Sequence, residues 1–221
     1  MGYASFKRRE HNPVQTMNAP LFIVLEGIDG SGTTTQSVQL AENLRLRGHR
    51  VRTTFEPSSG RIGTQIRELL AVRSNSIAPA ALALLFAADR VDHNRRVILP
   101  AVRAGEVVIS DRDLMSSLAY QGLTQSVEWL QQINSNARLP DLTLLLRIPP
   151  LVGLRRVAQR RAGSGGNEEI FDVPETQKKL AQSYETLVTR DDLGPIQVMD
   201  GSKKISDVGA ALLRACTQRG L

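Results

Sequence analysis

Leu21-Phe22-Ile23-Val24-Leu25-Glu26-Gly27-Ile28-Asp29-Gly30-Ser31-Gly32-Thr33-Thr34 is the stretch whose reading decides the fold. Its apolar first half has the look of a strand buried on both faces, ended by Gly27. Two more glycines, Gly30 and Gly32, follow, and then the apolar spacing of a helix begins. A glycine-rich turn between a strand and a helix is the setting of a phosphate-binding loop. Glycines let successive N–H groups converge on phosphate oxygens, and the helix N-terminus adds a favourable dipole. Gly27, Ile28, Asp29, Gly30, Ser31, Gly32, Thr33, Thr34 and Thr35 are therefore the candidate phosphate cradle. Thr34 stands where such loops place a metal-ligating hydroxyl. Thr33 stands where they carry a lysine.

Outward from this loop, strands and helices alternate. The spacing predicts a helix over 34–47, stopped by Gly48, and a strand from Val51 to Phe55. A helix over 62–72 follows, and then a long one from Pro79 to Gly105. Val107-Val108-Ile109 reads as a third strand, running into Ser110-Asp111. Helices are expected at 113–120, 126–136, 151–161, 174–190 and 206–218, with strands from Leu142 to Ile148 and from Ile196 to Met199. Such alternation predicts an α/β fold, a parallel five-stranded sheet covered by helices on both faces. Residues 20–221 read as one P-loop domain. Residues 1–19, basic and broken by Pro13 and Pro20, read as a flexible tail.

Composition narrows the function classes. The chain has 221 residues, one cysteine and three scattered histidines, which excludes a disulfide framework and a histidine-rich metal site. No apolar run is long enough for a membrane helix. The start lacks a secretory h-region, so a cytoplasmic setting is expected. A net charge of +6 suggests an anionic partner, but aromatics are only 4% of residues and do not interleave with basic ones. That argues against a nucleic-acid platform. Lysine occurs only at Lys7, Lys178, Lys179, Lys203 and Lys204; the other basic residues are arginines, whose forks suit fixed phosphate groups.

Further motifs stand in order along the chain: Glu56-Pro57, Phe86-Ala87-Ala88-Asp89-Arg90, Asp111-Arg112, Ala119-Tyr120-Gln121-Gly122, Pro140-Asp141-Leu142-Thr143-Leu144, Pro149-Pro150, Gly153-Leu154 and Asp200-Gly201. With Phe22 to Gly32, they resemble the thymidylate kinases. The resemblance implies transfer of the ATP γ-phosphoryl to thymidine monophosphate, with Mg²⁺ held by Thr34 and Asp111, and a homodimer. It implies that Phe86 stacks on thymine, Arg90 bonds a base oxygen and Ser117 reads the N3 edge. Tyr120 then packs where a ribose 2′-hydroxyl would lie, Asp29 meets the 3′-hydroxyl, and Arg112 clamps the acceptor phosphate. Glu56, Pro57 and Gln121 complete the acceptor set.

Arg155, Arg156, Arg160 and Arg161 precede Gly163-Ser164-Gly165-Gly166, and the stretch 155–172 reads as a short lid. Because Gly30 follows Asp29, the resemblance implies that catalytic arginines, Arg160 or Arg161, come from this lid. The chain departs from the family's pattern at Thr33, Phe55, Asp113, Arg147 and Leu151. Arg147 replaces an acidic residue at the end of the fourth strand, and is expected to take over the phosphate contact of the missing lysine. The alternative reading is a nucleotide-binding pseudokinase with a regulatory or structural role.

Overall fold

The computed structural model describes residues 21–71, 77–164 and 173–221. The expected tail lies outside these residues, as does the second half of the expected lid. Five strands, β1 (Phe22–Glu26), β2 (Val51–Phe55), β3 (Val107–Asp111), β4 (Leu142–Arg147) and β5 (Ile196–Asp200), form one sheet in the order β2-β3-β1-β4-β5. All neighbouring pairs are parallel. The strand carrying the glycine-rich loop is central, between β3 and β4.

Burial follows from this order. β1 and β4 are apolar on both faces because helices cover both, whereas the edge strands β2 and β5 are partly exposed. On one face Ile23, Leu25, Leu144 and Leu146 pack against Leu40 and Leu44 of α1 (Thr33–Leu46) and Leu212 of α9 (Ile205–Thr217). On the other, Leu145 and Ile148 meet Leu118 of α5 (Leu114–Tyr120) and Leu180 of α8 (Pro174–Leu187). Between these elements run α2 (Arg61–Ala71), α3 (Pro79–His93), α4 (Leu99–Arg103), α6 (Val127–Asn134) and α7 (Pro150–Ser164).

The long helix expected up to Gly105 is interrupted. Residues Asn94–Ile98 form a π turn between α3 and α4, and the Leu99 N–H reaches back to the Asn94 carbonyl. Pro100 has no N–H to continue the ordinary ladder, and the Asn94 side chain bonds the Arg90 carbonyl within it. Sequence spacing does not reveal a one-residue widening of this kind.

One close approach fixes the glycine-rich loop. A Cβ on Gly30 would collide with the Gly153 carbonyl oxygen, and a Cβ on Gly153 would lie 2.5 Å from that of Asp29. Backbone therefore packs on backbone where α7 meets the loop, and neither glycine has room for a side chain. Gly153→Ala should lower stability by about 1–3 kcal/mol, read as a fall in the urea midpoint, and should weaken nucleotide binding with it.

Candidate active site

The loop after β1 turns through Gly27, Gly30 and Gly32, whose φ values are 155°, 79° and 97°. A left-handed φ favours glycine, so the sequence places glycine where the backbone demands it. Asp29 to Gln36 line one side of a cleft of about 480 Å³. Across it stand Arg156 and Arg160 of α7, Lys203, and the apolar trio Val157, Ile205 and Val208. Gly27 and Ile28 do not line this cleft. Ile28 is 3% exposed and belongs to the core, which leaves its backbone to contribute, its carbonyl accepting from the Ser31 N–H. The Ser31 hydroxyl is buried and has no partner among the described residues, a donor left over inside a loop built for anions.

Thr34 and Asp111 meet at the floor of the cleft. The Thr34 hydroxyl donates to Asp111 Oδ2 at 2.5 Å. The other carboxylate oxygen, Oδ1, is buried and has no partner among the described residues. A hydroxyl and a half-satisfied carboxylate suit a Mg²⁺ ion that keeps waters and takes its remaining ligands from a nucleotide. Among the described residues no group of three or more His, Cys, Asp or Glu side chains could hold a metal by itself. The ion these residues fit is one that arrives with phosphate.

A second cleft, of about 150 Å³, opens beside the first. Asp29, Glu56, Pro57, Phe86, Arg90, Arg112, Ser117, Tyr120 and Gln121 all line it, together with Leu70, Asp113 and Ser116. Residues spread from the loop after β1 to the turn after α5 are thus brought to one wall-to-wall site. The Gln121 amide oxygen is buried and without a partner among the described residues, so an acceptor is available in that wall. Phe86 and Arg90, one helical turn apart on α3, both face this cleft.

Asp29 and Arg112 line both clefts and are bonded to each other at 2.8 Å. Arg112 follows the end of β3 with φ 73°, left-handed for a residue with a side chain. That conformation costs about 1–2 kcal/mol and is held by its surroundings. Its guanidinium donates to the Gly27 carbonyl and the Ser116 hydroxyl, and lies over the Tyr120 ring. Burial opposes its charge, but Tyr120, Asp29, Tyr184 and Glu26 outweigh that and hold its pKa well above the ordinary value. The Tyr120 hydroxyl donates to the other Asp29 oxygen.

Beneath Arg112 sits Glu26, fully buried, which accepts from the Asp113 and Ser116 N–H groups, the Ser116 hydroxyl and the Tyr184 hydroxyl. Sequence reasoning missed this group. The available signal is a carboxylate inside an apolar strand, which is affordable only with such a network.

Two expectations about cations change. Arg147 does not line either cleft. It is exposed at the end of β4 and pairs with Glu185 of α8 at 2.5 Å, so it is not placed to replace the loop lysine. A strand's last residue alternates outward, and here outward leads to α8 rather than over the loop. Arg160 lines the first cleft, whereas Arg161 does not; Arg156 bonds both the Gly30 and Gly201 carbonyls. Thr33 is buried at 5% exposure under the loop.

Similarity to known proteins places the chain in a family. A family model described as thymidylate kinase matches residues 25–212. The chain belongs to the thymidylate kinase family. A probable thymidylate kinase of Pyrococcus abyssi is 49% identical over 171 residues, 74% of this chain and 80% of that protein. One from Pyrococcus horikoshii is 45% identical over 170 residues, with the same coverage. One from Methanococcus maripaludis is 37% identical over 206 residues, 90% of this chain and 96% of the other. The protein is a phosphotransferase of the α/β P-loop class, and no helix among its described residues is long and apolar enough to cross a membrane.

Burial pushes the Glu26 carboxyl above the usual carboxylate range, against the pull of Arg112. The folded state then holds a proton there more tightly than the unfolded chain does. Stability from this group is fully present below the unfolded carboxylate pKa and declines as pH rises toward the folded one. Melting curves taken upward from about pH 4.5 should show that decline, and Glu26→Gln should make it shallower, by at most about 1.4 kcal/mol per pH unit. An unchanged slope would assign the titration elsewhere.

Proposed function

We propose that the enzyme transfers the γ-phosphoryl group of ATP to thymidine monophosphate, giving thymidine diphosphate for dTTP synthesis. The observation that carries this reading is the meeting of a phosphate-loop cleft and a base-sized cleft at Asp29 and Arg112. In-line transfer needs donor and acceptor phosphates held end to end, and a bidentate cation at the junction provides the fixed point. The names of the relatives support thymidine monophosphate as the acceptor.

Thr34 and Asp111 would hold Mg²⁺ brought with ATP; when bound, the ion supplies neutralisation of charge on the phosphate oxygens. The chain's own residues do the rest. Val157, Ile205 and Val208 give the donor cleft an apolar end that suits a purine ring. The loop amides from Gly30 onward and the Ser31 hydroxyl cradle the donor phosphates. Phe86 covers one face of the thymine, while Arg90, Ser117 and Gln121 read its edge. Arg112 takes the acceptor phosphate by exchanging part of its hold on Asp29, which is then left to accept from the 3′-hydroxyl. Tyr120 fills the space of a ribose 2′-hydroxyl. Arg160 offers positive charge to the transferring group, and Arg161 is the next residue of α7.

A homodimer goes with this reading. The outer face of α3 leaves Leu84 exposed, and with Ala88, Val91 and Ile133 of α6 it lines a shallow apolar concavity. The cytoplasm is the setting that suits a nucleotide kinase with a single buried cysteine.

A coupled assay of ADP release should show thymidine monophosphate as a better acceptor than deoxycytidine or ribonucleoside monophosphates. Arg112→Ala should lower turnover about 100-fold or more, and Tyr120→Ala should admit uridine monophosphate. Equal turnover of all pyrimidine acceptors would overturn the assignment. Tight binding of both nucleotides with no transfer would favour a pseudokinase, the reading that Thr33 alone recommends.

A further inference from the structure

Arg90 is the most deeply buried large side chain of the acceptor cleft, 1% exposed. A guanidinium has five N–H donors in a rigid fork. Four donor directions are already taken: Nε to Asp113 Oδ1 at 2.6 Å, Nη1 to Asn134 Oδ1 at 2.5 Å, and Nη2 to both Glu56 Oε2 at 2.7 Å and the Ser117 hydroxyl at 2.9 Å. A single N–H, on Nη1, remains for anything that enters the cleft.

The partners come from separate parts of the fold. Glu56 lies on the turn after β2 and is fixed from behind by His93, which also meets Thr54. Asp113 caps α5, its carboxylate accepting from the Leu114 N–H while its own N–H donates to Glu26. Asn134 closes α6 and is itself held through the Leu130 carbonyl. Asp113 and Asn134 are 1% and 3% exposed. Burying a carboxylate and an amide here is costly unless both are paired, and each is paired to Arg90.

We propose that Asp113 and Asn134 are positioning residues that lock the Arg90 guanidinium, leaving one fixed N–H to select a pyrimidine with a carbonyl rather than an amino group at its 4-position. A lone fixed donor bonds a carbonyl oxygen and meets an amino group donor to donor. A guanidinium free to turn could offer other donors to other edges of the base. The inference rests on the acceptor reading given above and deepens it by naming what enforces base choice. Asp113 does two things at once: it orients Arg90 on α3 and caps the helix that carries Ser117 and Tyr120, so both sides of the cleft keep register.

The test is binding of thymidine and deoxycytidine monophosphates by calorimetry, alongside steady-state kinetics, for the parent protein, Asp113→Asn and Asn134→Ala. Each variant should raise KM for thymidine monophosphate about tenfold, leave KM for ATP in place, and shrink the preference for thymine over cytosine. A purely structural lesion would move both nucleotides together, and that result, or unchanged base preference in folded variants, overturns the lock. No binding of thymidine monophosphate by the parent protein overturns instead the acceptor reading beneath it. Since a buried variant can fail to fold, the unmutated protein supplies a second measure. Its Arg90 Nε–H should give a slowly exchanging NMR resonance, with restricted guanidinium rotation, before any nucleotide is added. Free rotation there would contradict the proposal.

Discussion

The Arg112–Asp29 ion pair is the constraint on which the rest of the site depends. It joins the loop after β1 to the end of β3, neighbours in the sheet, at the point where two clefts meet. The surrounding bonds to Gly27, Ser116 and Tyr120 keep Arg112 in a left-handed backbone conformation that it would not choose alone. The strain goes with a cation placed where it lines both clefts.

Below that pair lies a polar layer rather than an apolar one. Glu26, Ser116, Tyr184, Asp113, Arg90, Glu56 and His93 are linked by hydrogen bonds in a nearly continuous network, and most are buried. Such a layer adds little net stability compared with packed hydrocarbon. What it adds is orientation: each bond restricts the direction in which a nucleotide-facing group points. The apolar clusters on the two sheet faces provide the stability, and the network between them provides the geometry.

Much of this was legible in the sequence. The apolar run before Gly27, the glycine spacing and the alternation of periods carry the sheet, its central strand and the phosphate loop, because each is a local pattern with one physical solution. The acceptor residues could be gathered only through the resemblance, since they lie far apart in the chain and meet through topology. What escaped were partnerships. Nothing in the sequence says that Arg147 turns to Glu185, that Asp113 and Asn134 close on Arg90, or that Asn94 opens a π turn. Each depends on where a side chain points once distant helices have docked. Thr33 was readable as a departure, and the fold buries it under the loop. Among the described residues, the cations that line the cleft beside the glycine-rich loop are Arg112, Arg156, Arg160 and Lys203.

The central claim is that the two clefts form one continuous site joined at Arg112. A ligand linking adenosine and thymidine through a polyphosphate tests it most directly, by calorimetric titration against ATP and thymidine monophosphate alone. If the clefts are joined, the linked ligand should bind at least about 100-fold more tightly than the better of the two nucleotides, because its second half binds at high effective concentration. An affinity no greater than that of the better single nucleotide would contradict the account.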